Sequence, residues 1–334
     1  MTPKERVHIS LNHRQPDLCP WYLELTQGAR EAMIAYTGDP EIADHTGSHI
    51  ARCKPLAADA FVEVQPGHFR DQFGVVWNRT VDPDIGTPVG LLLPEPRLGD
   101  FRWPDPDDPA RWENFERQLA AAGDRFTLMS VSYALFERAW SLRGMENLMI
   151  DMYENPGFVE ELLDAILEFQ LGIVRAGSRL PVDAVYCGDD YGQQQGMLIS
   201  PHLWRRFFKP RLARLYAAAH EAGKWVFIHC CGNIVEILPD LIEIGVDCFN
   251  PFQPEVMDVY QVKRDFGARL SFYGGVSTQK LLPYGTPEQV KTEVGKLIRE
   301  VGKDGGYILA PAHAVPRDAK PENLVALLEA VREQ

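Results

Sequence analysis

The chain has 334 residues, 45% of them hydrophobic and 10% aromatic, which supports a sizeable folded core and argues against intrinsic disorder. The net charge of −13 at pH 7 disfavours nucleic acid or a membrane surface as a partner, although it does not exclude an anionic ligand held by a few local arginines. The charged first residues and the lack of any apolar run of about 18 residues indicate neither a signal peptide nor a transmembrane helix.

Six cysteines occur in this long chain, which carries no visible export signal. In that setting free thiols or metal ligands are expected rather than disulfides. We therefore predict a cytoplasmic protein whose cysteines are buried or bind a metal.

The N-terminal half has an irregular pattern. In chain order it predicts a short helix, a turn and an extended arm at 6–26, a strand at 69–80, a loop rich in Pro, Asp and Gly at 82–110, and a strand followed by a helix at 124–144. No second domain boundary is visible. We predict one domain over 1–334, with 1–60 as a helical and extended N-terminal arm.

The C-terminal half alternates between apolar runs and amphipathic stretches. The predicted strands are 182–190, 225–233, 246–254, 269–277 and 307–315, and the predicted helices are 200–224, 234–245, 257–267, 286–306 and 321–334. Near-continuous apolar strands that alternate with helices indicate a parallel sheet covered on both faces. Because each strand also ends in polar residues, the pattern predicts a (β/α)8 barrel with its site at the strand C-termini.

The stretch WVFIHCCGN, residues 225–233, ends a predicted strand with one histidine and two cysteines. Side chains alternate along a strand, so His229 and Cys231 face one side and Cys230 faces the other. A nitrogen and a sulfur directed at one point are two of the three protein ligands that catalytic zinc commonly takes. The alternative is a hydrogen-bonded core histidine beside two buried thiols.

Two further strand ends carry groups that could complete such a site. His313, in LAPAHAV, follows the last strand and is either a third zinc ligand or a substrate donor or general acid. Asp189 follows an earlier strand and is a competing ligand or a catalytic carboxylate. The alternative for Asp189 and Asp190 is an N-cap pair.

Amide and aromatic side chains follow the same strands. Tyr191 and Gln193 lie in YGQQQG, and Asn250 and Gln253 lie in FNPFQPE, where they either orient a polar substrate or serve turn structure. The chain has no GxGxxG, Walker or GxSxG motif. Dinucleotide-binding, P-loop and α/β-hydrolase functions are therefore disfavoured.

Three other candidates lie in the N-terminal half. Arg14 and Trp21, in HRQPDLCPW, belong to an arm that either caps the barrel mouth and contacts substrate or is solvated and anchored by the tryptophan. Asp71 precedes QFGVVW and is either a catalytic carboxylate or a surface charge.

These motifs resemble the uroporphyrinogen decarboxylase superfamily. The matching stretches are LNHRQPD, GDDYGQQQGMLISPHLWRRFFKP, IHCCGN, FYGGVSTQKLLPYGTPEQV and GGYILAPAHAV, and the resemblance is strongest from about residue 180 onward. The resemblance implies a (β/α)8 barrel with its site at the C-terminal face. The superfamily also includes zinc-dependent methyltransferases that serve corrinoid proteins.

The two branches of that superfamily imply different roles for the same residues. In the methyltransferases zinc sits on a His-x-Cys pair, matched here by His229 and Cys231, and on a later cysteine, where this chain has His313. In the decarboxylases a histidine at that late position contacts substrate. The arginine-rich arm of the decarboxylases is reduced here to Arg14. Asp71 matches their catalytic aspartate in its place along the chain, but the neighbouring residues do not match.

The sequence therefore predicts a methyltransferase with Zn²⁺ on His229, Cys231 and His313. The enzyme would move a methyl group between a small substrate and a corrinoid. The substrate would be a methyl ether, which would make the enzyme an O-demethylase, or a methylamine or a thiol. The corrinoid would lie on a separate protein, since this chain has no cobalamin-binding Asp-x-His-x-x-Gly motif. The alternatives are a metal-free decarboxylase of a porphyrinogen or smaller acid, and a non-catalytic binding barrel. A homodimer is a further expectation.

Overall fold

The computed structural model describes residues 1–334 and contains one large parallel sheet, two small antiparallel sheets and surrounding helices. The strands are β1 (Ile50–Cys53), β2 (Val62–Gln65), β3 (His68–Arg70), β4 (Val76–Asn78), β5 (Thr87–Val89), β6 (Phe126–Val131), β7 (Ala184–Gly188), β8 (Gly192–Gln193), β9 (Gly196–Met197), β10 (Trp225–His229), β11 (Cys248–Phe252), β12 (Ser271–Val276) and β13 (Tyr307–Pro311). The helices are α1 (Pro3–Leu11), α2 (Gln27–Thr37), α3 (Pro109–Ala121), α4 (Phe136–Arg143), α5 (Met145–Glu154), α6 (Pro156–Gly177), α7 (Pro201–Phe207), α8 (Lys209–Glu221), α9 (Leu238–Glu243), α10 (Val259–Phe266), α11 (Leu281–Tyr284), α12 (Pro287–Glu300) and α13 (Pro321–Arg332), with a 3₁₀ turn at Val235–Ile237. None of these helices combines the length and the apolar character that crossing a bilayer needs.

The large sheet has seven strands in the order β1-β6-β7-β10-β11-β12-β13, and its neighbouring strands are parallel. Strands β6, β11, β12 and β13 are buried along their whole length. Such strands need near-continuous apolar sequence because helices cover the outer face and barrel side chains fill the inner one. The predicted alternation of strands and helices in the C-terminal half is confirmed.

The sheet closes through a short extended segment near the N-terminus. Trp21 pairs in parallel with Leu309 of β13, where the Tyr22 N–H donates to the Leu309 carbonyl at 3.0 Å. On the other side the His49 N–H, one residue before β1, donates to the Trp21 carbonyl at 2.9 Å. Residues 20–22 thus act as the eighth strand, and the predicted (β/α)8 barrel is confirmed.

Helix α1 closes the end of the barrel opposite the strand C-termini. Its Val7 and Leu11 pack with the barrel interior against side chains such as Phe126 and Ile308. The Ser10 carbonyl accepts from the Gly306 N–H at 2.7 Å, immediately before β13 begins. Burying each of these two aliphatic side chains contributes about 1.5–3 kcal/mol. The start of the chain therefore covers the N-terminal face of the barrel.

The predicted helix 200–224 is two helices. Helix α7 begins after Ser200, whose hydroxyl accepts from the Leu203 N–H at 3.3 Å, and it ends at Phe207. Helix α8 begins at Lys209 and has Pro210 in its first turn. A proline has no N–H to donate to the preceding turn of a helix, and its ring clashes with the carbonyl of that turn. The helix is therefore interrupted at Pro210, although the helical spacing of apolar residues continues through it.

Residues 62–89 form a four-stranded antiparallel sheet, β2-β3-β4-β5, which we call the flap. The predicted strand 69–80 is a hairpin of β3 and β4 instead. Its turn is closed by the Asp71 N–H, which donates to the Val75 carbonyl at 2.8 Å, and Gly74 adopts a φ of +90°. Apart from β5, the predicted loop 82–110 lacks regular structure up to the start of α3.

Candidate metal centre and active site

Three potential metal ligands converge at the C-terminal ends of β10 and β13. His229 is the last residue of β10, Cys231 follows it by two, and His313 follows the end of β13. One ligand atom from each of the three lies within 4.8 Å of those of the other two. The Cys231 Sγ is 3.4 Å from the His229 Nε2. Strand alternation therefore directs the first two inward, and barrel closure brings the third beside them.

Hydrogen bonds fix the orientation of the His229 ring. Its Nδ1 lies 2.6 Å from Asn250 Oδ1, and the Asn250 amide is oriented by its Nδ2, which donates to the Tyr273 carbonyl at 2.9 Å. A carbonyl can only accept, so Oδ1 must be the atom that receives the Nδ1 proton. The Nε2 lone pair is then free and directed toward Cys231. Burial lowers the pKa of His229, which keeps the ring neutral as a metal ligand requires.

The backbone around Cys231 is also held in place. Its N–H donates to Asp190 Oδ1 at 2.7 Å, and the next N–H, of Gly232, donates to Gln253 Oε1 at 3.2 Å. Gly232 has a φ of +86°, and a Cβ there would come within 2.3 Å of the Gly192 backbone. Only glycine fits such a close approach with positive φ. Cys231 is therefore presented on a constrained turn.

The donor set of two imidazoles and one thiolate suits zinc. Zinc accepts nitrogen and sulfur ligands in tetrahedral sites, and catalytic sites keep a fourth position open. Burial, followed by the carboxylates of Asp190 and Glu137, raises the pKa of the Cys231 thiol. A thiol in such surroundings becomes a thiolate when a cation is bound next to it, so the residues present fit a zinc ion.

A cavity of about 820 Å³ opens over this centre. His229, Asp190 and His313 line it beside the strand ends, and the flap and the β1 region line other walls. Aromatic side chains, including Tyr133 and Tyr273, make up part of the wall. The volume and the mixture of aromatic and charged groups are typical of a site for a small organic molecule.

Asp189 points away from this cavity and caps a helix. Its carboxylate accepts from the N–H groups of Leu135, Phe136 and Glu137 at 3.0, 2.7 and 2.7 Å, at the start of α4. The Tyr191 hydroxyl also donates to it. Asp189 and Tyr191, each 4% exposed, therefore stabilise the wall behind the site, and Asp190 is the aspartate that faces the cavity.

Asp71 lies at the cavity wall in a buried ion pair. Its Oδ2 accepts from Arg138 at 2.7 Å and from the Trp77 indole at 3.1 Å. Its Oδ1 accepts from the N–H groups of Phe73 and Val75 at 2.9 and 3.0 Å. Every oxygen of the carboxylate is occupied, which indicates that Asp71 holds the flap hairpin to α4.

The other predicted substrate contacts lie in different places. Asn250 lines the cavity and orients His229, whereas Gln253 holds the Gly232 turn and Gln193 lies in the β8–β9 hairpin. Trp21 is buried in the eighth strand, with its indole donating to the Thr46 carbonyl at 3.3 Å. Arg14 lies beside Gly305, at the N-terminal end of β13. The predicted substrate contacts of Arg14 and Trp21 are thus corrected, since neither residue lines the cavity, whereas Tyr22, Glu24 and Leu25 of the same predicted arm do.

Sequence reasoning missed several polar groups of the cavity. Glu137 faces Asp190, and burial, followed by the charges of Asp189 and Asp190, raises its pKa to about 9. Arg52 of β1 pairs with Glu24 and lies 4.8 Å above the Tyr186 ring. Residues at the C-terminal ends of barrel strands lie at the same face of the barrel. The polar residues at and after the ends of β1 and β6, which include Arg52 and Glu137, could therefore have been predicted as site residues.

Comparison with known proteins agrees with the fold and the motifs. Residues 112–334 match the family model described as uroporphyrinogen decarboxylase (URO-D). A methylated-thiol–coenzyme M methyltransferase of Methanosarcina mazei is 27% identical over 60% of this chain, and the match spans 51% of that relative. A uroporphyrinogen decarboxylase of Methylococcus capsulatus is 25% identical, with 99% of this chain and 94% of the relative covered.

The solved structure of a methyltransferase from Methanosarcina mazei has the same fold. It superposes with a TM-score of 0.75 and 20% sequence identity, covering 100% of this chain and 99% of that one. The family model covers well over half of the sequence, including β10, β13 and the residues between them. The chain belongs to the uroporphyrinogen decarboxylase (URO-D) family.

Proposed function

We propose that this protein is a zinc-dependent methyltransferase that moves a methyl group between a small substrate and a corrinoid carried by a separate protein. The observation that carries the proposal is the convergence of His229, Cys231 and His313 within 4.8 Å. Similarity to a Methanosarcina mazei methyltransferase over 60% of this chain supports the reaction class. A methyl ether, a methylamine or a thiol is the substrate that we expect.

The residues around the centre have separable tasks in this proposal. Asn250 holds the His229 ring so that Nε2 is available, and Asp190 holds the backbone of Cys231. Zinc bound to these ligands would supply Lewis acidity at the heteroatom that loses or gains the methyl group. The aromatic cavity wall would position the substrate and exclude water from it.

Metal content is the decisive measurement. Elemental analysis of protein purified without chelator should give about one zinc per chain, and Cys231→Ser should lose it. Cys230→Ser is the matched control, because Cys230 lies on the opposite face of the same strand end and accepts from the Tyr191 N–H at 3.2 Å. Wild-type protein that neither contains zinc nor takes it up on addition would contradict the proposal.

Methyl transfer can be tested without knowing the natural partner. Free cob(I)alamin serves as the acceptor, and formation of methylcobalamin is followed by absorbance with a methyl ether, a methylamine and a methyl thioether as donors. Turnover with one donor class that disappears in Cys231→Ser supports the proposal. Zinc-loaded protein inactive with every donor, and equally inactive in the reverse direction with methylcobalamin and thiols, argues against it.

A metal-free decarboxylase is the second candidate. A uroporphyrinogen decarboxylase that aligns with 99% of this chain favours it. The occupied carboxylate of Asp71 counts against it, since a catalytic acid needs an oxygen free for substrate. Decarboxylation of a porphyrinogen at the same rate with and without a chelator would establish this candidate and exclude the first.

A further inference from the structure

Tyr186 of β7 lines the cavity and touches the group that orients His229. Its side chain is 4% exposed and packs with the interior of the barrel, next to Phe227. The Tyr186 hydroxyl lies 2.5 Å from Asn250 Oδ1 and 3.0 Å from Nδ1 of His229. The orientation of His229 therefore involves a third side chain, from the strand on the other side of β10.

The three polar atoms at this contact share two protons. A phenol can both donate and accept, a neutral imidazole carries one proton, and a carbonyl oxygen can only accept. The Asn250 amide is fixed with Oδ1 toward His229, because Nδ2 donates to the Tyr273 carbonyl at 2.9 Å. Contacts of 2.5 and 2.6 Å to Oδ1 each need a proton, which come from the Tyr186 hydroxyl and from Nδ1. The phenol oxygen then faces the Nδ1 proton as a second acceptor.

The Tyr186 ring is held in place by its neighbours. The Arg52 guanidinium carbon lies 4.8 Å from the centre of this ring, and Arg52 pairs with Glu24. The ring also meets that of His229 edge to face, with 6.1 Å between the ring centres. A side chain packed in this way has little room to turn. The Tyr186 hydroxyl therefore keeps a fixed position relative to His229.

We propose that Tyr186 is a positioning residue for the metal centre, whose hydroxyl gives its only proton to Asn250 and so leaves Nδ1 of His229 to donate. The hydrogen bond at one nitrogen of a histidine decides which nitrogen is free for a metal. Without the Asn250 carbonyl, the Tyr186 hydroxyl would donate to Nδ1, and the imidazole proton would move to Nε2. Asn250 thus directs the proton of Tyr186 as well as accepting that of His229. The inference rests on the zinc centre of the proposed function, although the tautomer can be observed without metal.

The tautomer of His229 in metal-free protein is the first measurement. It is read from the nitrogen-15 NMR shifts of the imidazole and assigned by the signal lost in His229→Ala. Wild-type protein should carry the proton on Nδ1, and Asn250→Ala should carry it on Nε2. The double variant Asn250→Ala, Tyr186→Phe should give a mixture, since neither side chain then selects a nitrogen. A wild-type ring protonated on Nε2, or a double variant identical to Asn250→Ala, would overturn the inference.

Zinc affinity is the second measurement. Tyr186→Phe should weaken zinc binding about tenfold, and the double variant should bind zinc more tightly than Asn250→Ala does. Tyr307→Phe is the matched control and should keep the wild-type affinity, since it removes a similarly buried hydroxyl that donates to the Gly274 carbonyl at 2.8 Å.

Two results of the zinc titration would contradict the inference. One is an affinity in Tyr186→Phe that equals that of the wild type or of Tyr307→Phe. The other is a double variant in which the losses of the two single variants add. Wild-type protein that takes up no zinc would contradict the proposed function, and the NMR measurement would still decide whether Tyr186 and Asn250 select the tautomer.

Discussion

Asn250 Oδ1 lies 2.6 Å from Nδ1 of His229, and this contact determines which nitrogen of the histidine faces the cavity. The two residues come from adjacent strands in register, since His229 of β10 pairs with Asn250 of β11. The sheet itself therefore positions the group that orients the ligand. An acceptor that holds the other ring nitrogen of a histidine in this way raises the affinity of that histidine for a metal.

Asn250→Ala should leave the three ligands in place and weaken zinc binding about 10–100-fold, because the His229 ring loses the acceptor that selects its tautomer. Competition with a chromophoric chelator measures the affinity. Asn147→Ala is the control, since its amide donates to the Arg143 carbonyl in a helix away from the site. Unchanged zinc affinity in Asn250→Ala would contradict the role of Asn250 in orienting the His229 ring.

His313→Ala decides between the two roles predicted for this residue. We expect a loss of zinc affinity comparable to that in Cys231→Ser, because a three-ligand site loses one of its donors. His202→Ala is the matched control, since His202 is exposed on α7. If zinc content and affinity stay at the wild-type level while KM or kcat changes, His313 contacts substrate and is not a ligand.

Asp71→Asn should destabilise the fold by about 3–5 kcal/mol, because Arg138 is left as a buried charge without its partner. The free energy of unfolding is measured with urea. The double variant Asp71→Asn, Arg138→Met should recover part of the loss, since it removes the unpaired charge. A variant with full stability and no activity would instead assign Asp71 a catalytic role.

Acid should weaken the closure of the barrel at His49. Its Nδ1 accepts from the Trp21 N–H at 3.3 Å, and burial lowers the pKa of His49 from 6.5 to about 4. Between pH 6.5 and about pH 4, His49 therefore binds a proton in the unfolded chain but not in the folded chain. The free energy of unfolding consequently falls as the pH drops through this range. We expect a contribution of about 1–2 kcal/mol, with water screening included.

Urea unfolding at pH 7 and pH 4.5 measures this contribution. His49→Asn keeps an acceptor near the position of Nδ1 and has no titrating ring, so it should lose less stability than the wild type over the same range. His202→Asn, on the exposed face of α7, should behave as the wild type does. Identical acid losses in His49→Asn and the wild type would refute the role of His49.

The parts of the site that the sequence predicted depend on local rules. His229 and Cys231 share a face because side chains alternate between the two faces of a strand. This two-residue alternation does not depend on the neighbouring strands. The strands of the C-terminal half were recognisable because burial on both faces demands long apolar runs. The position of His313 after the last predicted strand marked it as a candidate, and both that position and the family resemblance left it open between zinc ligand and substrate contact.

Other parts depend on residues far apart in the chain. The pairing of Asp189 with α4 was invisible, because a helix cap normally precedes its helix in sequence and this one comes from a later strand end. The flap hairpin was read as one strand, since strands of three residues carry little pattern. The sequence left Trp21 open between a cap over the mouth and an anchor for the arm, and only the structure shows that its strand completes the barrel.

The sequence by itself determined the alternation of strands and helices in the C-terminal half, the face on which His229 and Cys231 lie, and the residue types available at each of those strand ends. Only the tertiary structure decided that His313 lies beside them and that Asp190 rather than Asp189 faces the cavity. The reason is physical. Alternation is a property of one strand, whereas the convergence of side chains depends on barrel closure, which brings distant segments together around one axis.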